Sequence, residues 1–391
     1  MPLPTRPFLV IYVAWHPAFA DGARLSKVLF DHYRRKLYEN VSGGSGLPVV
    51  YRSAPPTGSV VPIDVDFAEA ETSAIIMLID DQWAADPDWV AWGRRLMDST
   101  DKVGLGTRVF PVAISPAATA VGMAEQAVRW DRWDAVAGLR ERRLITTLTY
   151  QFCRMLRSYL ERLKHPAAEE DELLGYLKKV EIFLSHSKHD ADGERIAKLI
   201  RAALSDGEGL DSFFDVYDIP TGLRFNKVIL QKVKVSAVVA IHTDSYSSRE
   251  WCRREIIEAK RWHVPLVVTN CLSELDERNF PYMGNVPVVR MDPIAADRIT
   301  LVIGRLLDEV LKDFLWRCWV QLVSDAATDV VFLPRPPELI SLTALVEHGD
   351  TATTLVYPDP PIGAEEQRLF EIVAPKVRLR SVTEWLAGDS L

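Results

Sequence analysis

The chain repeats itself, and that repetition limits its possible folds more than any other feature. Ala20-Asp21-Gly22-Ala23-Arg24-Leu25-Ser26-Lys27-Val28-Leu29 is echoed by Ala191-Asp192-Gly193-Glu194-Arg195-Ile196-Ala197-Lys198-Leu199-Ile200. Each copy follows an apolar run, 8–14 or 180–184, and opens a stretch with apolar residues at helical spacing. That pattern predicts strand, loop and helix, twice over. The parallel continues downstream. Ser73-Ala74-Ile75-Ile76-Met77-Leu78-Ile79-Asp80-Asp81 matches Ser236-Ala237-Val238-Val239-Ala240-Ile241-His242-Thr243-Asp244, and Trp89 and Trp251 each open a helix. Phe110-Pro111-Val112-Ala113-Ile114 then corresponds to Val264-Pro265-Leu266-Val267-Val268, and Ala127-Val128-Arg129-Trp130 to Val288-Val289-Arg290-Met291. Apolar runs without alternation, separated by amphipathic helices, predict parallel sheets covered on both faces. The expected class is therefore α/β, with two related domains over 5–165 and 178–322. A Pro-bearing acidic linker is expected over 166–177 and a short α/β extension over 323–391, the latter punctuated by Leu333-Pro334-Arg335-Pro336-Pro337 and Tyr357-Pro358-Asp359-Pro360-Pro361.

Composition removes several function classes. Lys plus Arg number 46 against 54 Asp plus Glu, a net charge of −8, and no long basic run occurs. A nonspecific grip on nucleic acid is not expected. No apolar run is long enough to cross a bilayer. Arg6, the apolar run 8–15 and Ala18-Phe19-Ala20 have the outline of a secretory leader. The repeat explains the same residues as a first strand, so a cytoplasmic protein without a membrane partner is expected. Cys153, Cys252, Cys271 and Cys318 lie far apart with no C-x-x-C pair, which fits reduced thiols rather than a zinc site or disulfide framework.

In an open parallel sheet, ligands bind beyond the carboxyl ends of the strands. That rule selects three segments of the second copy: Ser185-His186-Ser187-Lys188-His189-Asp190, Asp215-Val216-Tyr217-Asp218-Ile219-Pro220-Thr221-Gly222, and Thr243-Asp244-Ser245-Tyr246-Ser247-Ser248-Arg249-Glu250-Trp251 leading into a helix. Each residue also has a plain structural reading. Glu255 in the early turns of a helix suits the macrodipole, Trp251 can be core, Asp215 can cap a loop, and Ser185 and Ser187 can form turns. Gly222 suits a positive φ. His186 and His189 have no third ligand beside them, so no metal is expected.

Taken together, Ile182-Phe183-Leu184-Ser185-His186-Ser187, Phe214-Asp215 with Pro220-Thr221-Gly222 and Phe225, and Ser245-Tyr246-Ser247-Ser248-Arg249-Glu250-Trp251-Cys252-Arg253-Arg254-Glu255 resemble a Toll/interleukin-1 receptor (TIR) domain. The resemblance implies a flavodoxin-like sheet, a mobile loop over 218–225, and NAD⁺ as substrate rather than any bound cofactor. In enzymatic members the Glu four residues after the Trp is catalytic, which here is Glu255. Ser185, His186, Ser187, Lys188, Asp215, Arg224, Phe225 and Trp251 are the candidate substrate-binding residues. The chemistry agrees: loss of nicotinamide builds oxocarbenium-like charge at the anomeric carbon, which a carboxylate stabilises. Trp251, one turn earlier on the helix, is expected as an aromatic wall. The helix N-terminus after Asp192-Gly193, with Lys188 and Arg224, is expected to receive the pyrophosphate.

The resemblance implies a bacterial-type NAD⁺ glycohydrolase in defence or cell-death signalling, inactive until it assembles with itself or other TIR domains. Many NAD⁺-cleaving relatives carry an Arg in the loop after the first strand, where this chain reads Ser185-His186-Ser187-Lys188, and a lysine point charge is not a guanidinium fork. That departure favours an alternative, a non-enzymatic TIR scaffold. A cyclase making a cyclic ADP-ribose signal shares the first step and is a further alternative. In the first copy Gly93 stands four residues after Trp89, and the loop Trp15-His16-Pro17-Ala18-Phe19 is apolar. This reads as a degenerate TIR-like copy that docks, senses or assembles.

Overall fold

The computed structural model describes residues 6–34, 46–122, 127–134, 136, 138–166, 169–188, 190–206, 214–216, 230–276, 279–292, 294–324, 327, 330–343 and 353–388. It divides into two compact units, Met1–Lys178 and Lys179–Leu391.

The first unit runs β1 (Leu9–Trp15), α1 (Gly22–Tyr33), β2 (Val49–Arg52), β3 (Thr72–Ile79), α2 (Asp81–Ala85), α3 (Pro87–Asp101), β4 (Thr107–Ala113), α4 (Leu139–Lys164) and α5 (Glu169–Leu177). Its four strands are parallel in the order β2-β1-β3-β4. β1 and β3 are buried along their whole length, as unalternating apolar runs require. Helix α3 starts where it does because Asp86 accepts hydrogen bonds from the Asp88 and Trp89 amides and Pro87 occupies the first turn. Trp89 and Trp92 of α3 pack with Trp83 of α2 in the core, and their indole N–H groups donate to Val60 O and Asp64 Oδ1. The run 127–130 contributes only a single bridge, Val112 to Val128, rather than a full strand. The segment expected as a linker contains α5, which lies along α4: Arg154 Nε donates to Tyr176 O at 2.8 Å and Arg157 Nη1 to Lys178 O at 2.6 Å.

The second unit opens with β5 (Val180–Ser185), α6 (Ala191–Asp206), β6 (Phe214–Val216), β7 (Ala237–His242), α7 (Glu250–Arg261), β8 (Leu266–Asn270), β9 (Val288–Arg290) and α8 (Ala296–Val323). All five strands are parallel in the order β6-β5-β7-β8-β9. Counted from its own first strand this is 2-1-3-4-5, the flavodoxin-like order, and the first unit has the same order without the last strand. The extension adds a three-stranded parallel sheet, β10 (Val330–Phe332), β11 (Thr353–Tyr357) and β12 (Val377–Ser381), with α9 (Ala364–Val373) and α10 (Val382–Ala387). The α/β class with parallel sheets is therefore realised three times. Among the described residues, no helix is long and apolar enough to cross a membrane. All four cysteines are free.

The extension is fastened to the unit that carries it. Trp316 and Trp319 of α8 meet Phe332 and Trp385 in one aromatic cluster. Lys260, on α7 and only 7 % exposed, donates to Gly284 O at 2.6 Å and to Glu338 Oε1 at 2.5 Å. Arg335 donates to Val264 O and lies 3.7 Å from Glu309 Oε2. Burial holds the Lys260 ammonium below its ordinary range against the pull of Glu338, and it lowers the nearby His263 imidazole to about 4 with help from Arg335 and Lys260. A buried cation of this kind is costly to strand without its anion. Glu338→Ala should destabilise the second unit by roughly 3–5 kcal/mol in urea titration, whereas the Lys260→Met/Glu338→Leu pair should recover most of that loss. Equal losses in the single and the pair would show that the ion pair is not what fastens the extension.

Candidate functional site

Described residues of two of the segments selected by the strand-end rule, those after β5 and β7, meet at the carboxyl edge of the five-stranded sheet. β5 delivers Ser185 and the loop 186–190, while β7 delivers His242 and the turn 243–249 that enters α7. These loops are stitched together. Ser245 Oγ lies 3.1 Å from both Ser187 Oγ and Asp190 Oδ2, which joins the β5 loop to the β7 turn. Asp244 accepts from the Ser273 amide and hydroxyl and from the Glu274 amide, which joins the β7 turn to the loop after β8. His242 Nε2 is 2.8 Å from Asp276 Oδ2 and 3.2 Å from Ser247 Oγ, and Ser247 also reaches Asp276 at 3.0 Å. This is a knot rather than a hydrolytic triad. Both contacts fall on one ring nitrogen, whereas a triad uses both, and Ser247 is fully buried.

Glu255 sits in the second turn of α7 with its carboxyl directed inward, 7 % exposed. Ser185 Oγ donates to Glu255 Oε2 at 2.5 Å, and Tyr246 OH lies 2.5 Å from the same serine oxygen. A serine hydroxyl has one proton; when it goes to Glu255, Tyr246 must donate to Ser185. The three groups therefore form a hydrogen-bonded relay that ends on the carboxylate. Burial pushes the Glu255 carboxyl up to about 7, against the Ser185 hydrogen bond and the Lys188 charge, which both lower it. Burial, followed by the charge of Glu255, raises the Cys252 thiol to about 12, and burial, followed by Cys252 and then Glu255, keeps Tyr246 far above its usual range. A carboxyl poised near neutrality can give and take a proton under physiological conditions.

The other expected residues fall into three groups. Ser185, Ser187 and Lys188 belong to the site: Ser187 is buried against Ser245, and Lys188 is exposed yet its charge is felt at Glu255. His186 is half-buried with Nδ1 3.2 Å from Leu184 O, so it turns toward its own strand. Trp251 is half-buried and carries the Arg254 guanidinium 4.5 Å above its ring, an aromatic platform already engaged by its own helix. Asp215 is placed by its backbone in β6, paired with Glu181, while its side chain lies outside the described residues. Arg224, Phe225, His189 and the whole loop 218–225 also lie outside them.

One expectation is corrected. Two of the first amides of α6, those of Asp192 and Gly193, donate to Asp190 Oδ1 at 3.0 and 3.4 Å. A carboxylate of the chain thus occupies the place expected for a pyrophosphate. Burial raises the Asp190 carboxyl, but the hydrogen bonds from Thr243, Ser245 and these amides outweigh it and hold Asp190 below its ordinary value. Tyr246 and Asp190 lie in the segments selected from sequence, but no role for either is readable there.

The corresponding edge of the first unit is closed. Gly22 opens α1, and a Cβ there would stand 2.1 Å from Trp15 Cδ1, so the absent side chain makes room for the Trp15 indole over the helix start. Trp89 is 1 % exposed within the tryptophan core, and Gly93 is buried where the second unit has Glu255. His16 lies 3.5 Å from Asp86 and stacks edge-on to Trp89. Aromatic rings fill what is polar in the second unit.

Residues 182–285 match the family described as TIR domain, and this stretch is a TIR domain within a longer chain. The N-terminal sheet is not assigned to a family. No curated protein matches the chain.

The buried carboxyl makes a pH prediction. A carboxyl raised from 4.5 to about 7 on folding contributes stability that is fully present below the unfolded value and lost as pH rises through the folded one. Glu255→Gln should abolish that loss, so denaturant titrations at pH 5 and pH 8 should show the variant gaining on wild type by on the order of 3 kcal/mol. Parallel pH curves would mean that the carboxyl is solvated.

Proposed function

We propose that the TIR domain cleaves the nicotinamide–ribose bond of NAD⁺ with Glu255 as the catalytic carboxylate. The observation that carries this reading is the buried Glu255 carboxyl held by Ser185 at the carboxyl edge of a parallel sheet, raised to about 7. Nicotinamide departs as a neutral molecule with the electrons of the glycosidic bond, leaving positive charge on the ribose anomeric carbon. A carboxylate in a dry site stabilises that charge strongly. Water then adds to the carbon and releases a proton, giving ADP-ribose, nicotinamide and H⁺. A ribose hydroxyl or adenine nitrogen in place of water gives a cyclic product by the same first step. Glu255 must be ionised to act, and the Ser185 hydrogen bond favours that form. Lys188, exposed beside it, offers a cation to the dinucleotide's phosphates.

In the arrangement described, the carboxyl is sheltered by Ser185 and Tyr246, so turnover requires that contact to open. This supports an enzyme at rest that is switched on by assembly, as suits a cytoplasmic defence or cell-death signal that would otherwise drain a central cofactor. The first unit, with its crevice filled, serves as the degenerate copy that docks or senses. The same sheltering supports the second reading, a TIR scaffold without turnover.

The test follows nicotinamide release from NAD⁺ by the full chain, with chromatography of the second product. Wild type should release nicotinamide, and Glu255→Gln should lose at least ~100-fold in rate. Release at equal rates by both would remove Glu255 from catalysis, and release by neither would favour the scaffold. The wild-type rate should fall as the pH drops through about 7. Ser185→Ala removes a hydrogen bond that lowers the Glu255 value, so its acid limb should move to higher pH.

A further inference from the structure

We infer that Tyr246 is a positioning residue for Glu255: its phenolic hydroxyl dictates where Ser185 points its one proton, and thereby holds the glutamate in its ionised form. Tyr246 is fully buried, so it acts on a ligand only through another group. Its ring belongs to the core of the domain beside Phe183, Val238 and Ile256, and the His242 imidazole meets it edge-on at 5.9 Å. Its backbone is tied into the turn after β7, the amide donating to Thr243 O at 2.9 Å and the carbonyl accepting from the Arg249 amide at 3.0 Å. Packing accounts for everything in this side chain except its oxygen. Among the described residues that oxygen has one hydrogen-bond partner, Ser185 Oγ at 2.5 Å.

A buried hydroxyl whose proton meets no acceptor is costly. If Ser185 donated to Tyr246, the phenol proton would face no described acceptor and Glu255 would lose the serine. If Tyr246 donates to Ser185, the phenol proton ends on the serine oxygen and the serine proton on Glu255 Oε2. Only the second order satisfies all three groups. It cannot be undone by titration of the phenol, which burial, Cys252 and Glu255 keep far above its usual range. Hydrogen bonds aligned in one direction polarise one another, so the bond that reaches the carboxylate gains from the one behind it. Among the described residues, the other titratable groups that bear on Glu255 are Lys188 of the loop after β5, which favours the ionised form, and Cys252 of α7, which burial holds as a neutral thiol. Tyr246 thus works through Ser185 and carries no charge of its own to the site. Its part in turnover rests on NAD⁺ cleavage by Glu255, while its hold on the carboxyl proton does not.

Infrared difference spectroscopy of the full chain reads the Glu255 titration directly, as the protonated-carboxyl band that Glu255→Gln removes. Tyr246→Phe fills the same space and deletes only the donor, so it should move the midpoint upward by about half a unit to one unit, the worth of one hydrogen bond. Ser185→Ala should move it in the same direction, and Tyr246→Phe added to Ser185→Ala should move it no further. In nicotinamide release, Tyr246→Phe should lose rate at a pH of about 7 and recover toward wild type about two units higher, a displacement of the acid limb that a packing defect does not produce. A wild-type midpoint in Tyr246→Phe, or an equal shift with and without the Ser185 hydroxyl, overturns the inference even where Glu255→Gln abolishes turnover. Absence of turnover in wild type removes the proposed activity instead, and the carboxyl midpoints still decide the role of Tyr246.

Discussion

The second unit is organised around the problem of keeping a carboxyl out of water. Moving an ionised carboxylate into a dry interior is prohibitive unless it is hydrogen-bonded or protonated. At Glu255 both remedies operate: Ser185 donates to it, Tyr246 supports Ser185, and the remaining cost appears as a carboxyl raised to about 7. This solution dictates much of its surroundings. Ser185 must end β5, Tyr246 must return from β7 beneath it, and α7 must enter at the angle that turns its second turn inward. The chain closes that geometry with polar stitches between successive loops, Ser245 to Asp190 and Asp244 to Ser273. A site held by hydrogen bonds within loops can open locally without disturbing the sheet.

The first unit builds the same sheet edge without a buried glutamate. The first unit keeps the strand order and the helix start at Gly22, but the space above the sheet edge is taken by the Trp15 indole and by a core of three tryptophans. Aromatic filling gives that edge a large buried apolar surface, and its buried carboxylate, Asp80, is used as the cap of α2. Where the second unit has Glu255 the first has Gly93, buried in α3 beside the tryptophan core.

Much of this was legible in the sequence, for identifiable reasons. Parallel strands buried on both faces leave unbroken apolar runs, and a duplicated run of Ala-Asp-Gly before a helix made the two units visible together. Ser185 was accessible because the strand-end rule is topological and needs no side-chain detail, whereas Glu255 was marked by the resemblance of its helix start to TIR domains. Other features depend on packing, which periodicity does not encode. Asp190 reads equally as a ligand or a cap, and only the amides of Asp192 and Gly193 decide between them. Trp251 shares a face with Glu255 by spacing, yet Arg254 three residues away takes its ring. The acidic composition of 166–177 suggested a linker, while the arginines of α4 that receive α5 lie outside that segment, 22 and 21 residues before the carbonyls they bond.

The fastening of α7 bears on how the site can be controlled. At its far end the helix is clamped by Lys260, which bridges Gly284 and Glu338, and by Arg335 on Val264 just beyond. Near its start the Glu255 side chain is held by Ser185. A helix pinned at its end by a desolvated ion pair does not slide or rotate cheaply, so exposing the carboxyl by moving α7 means breaking the extension's attachment. Exposing it from the other side means exchanging the hydrogen bonds of Ser185 at the end of β5 and Tyr246 in the turn after β7. The extension thus makes the far end of α7 a fixed post, while the near end is held by hydrogen bonds alone.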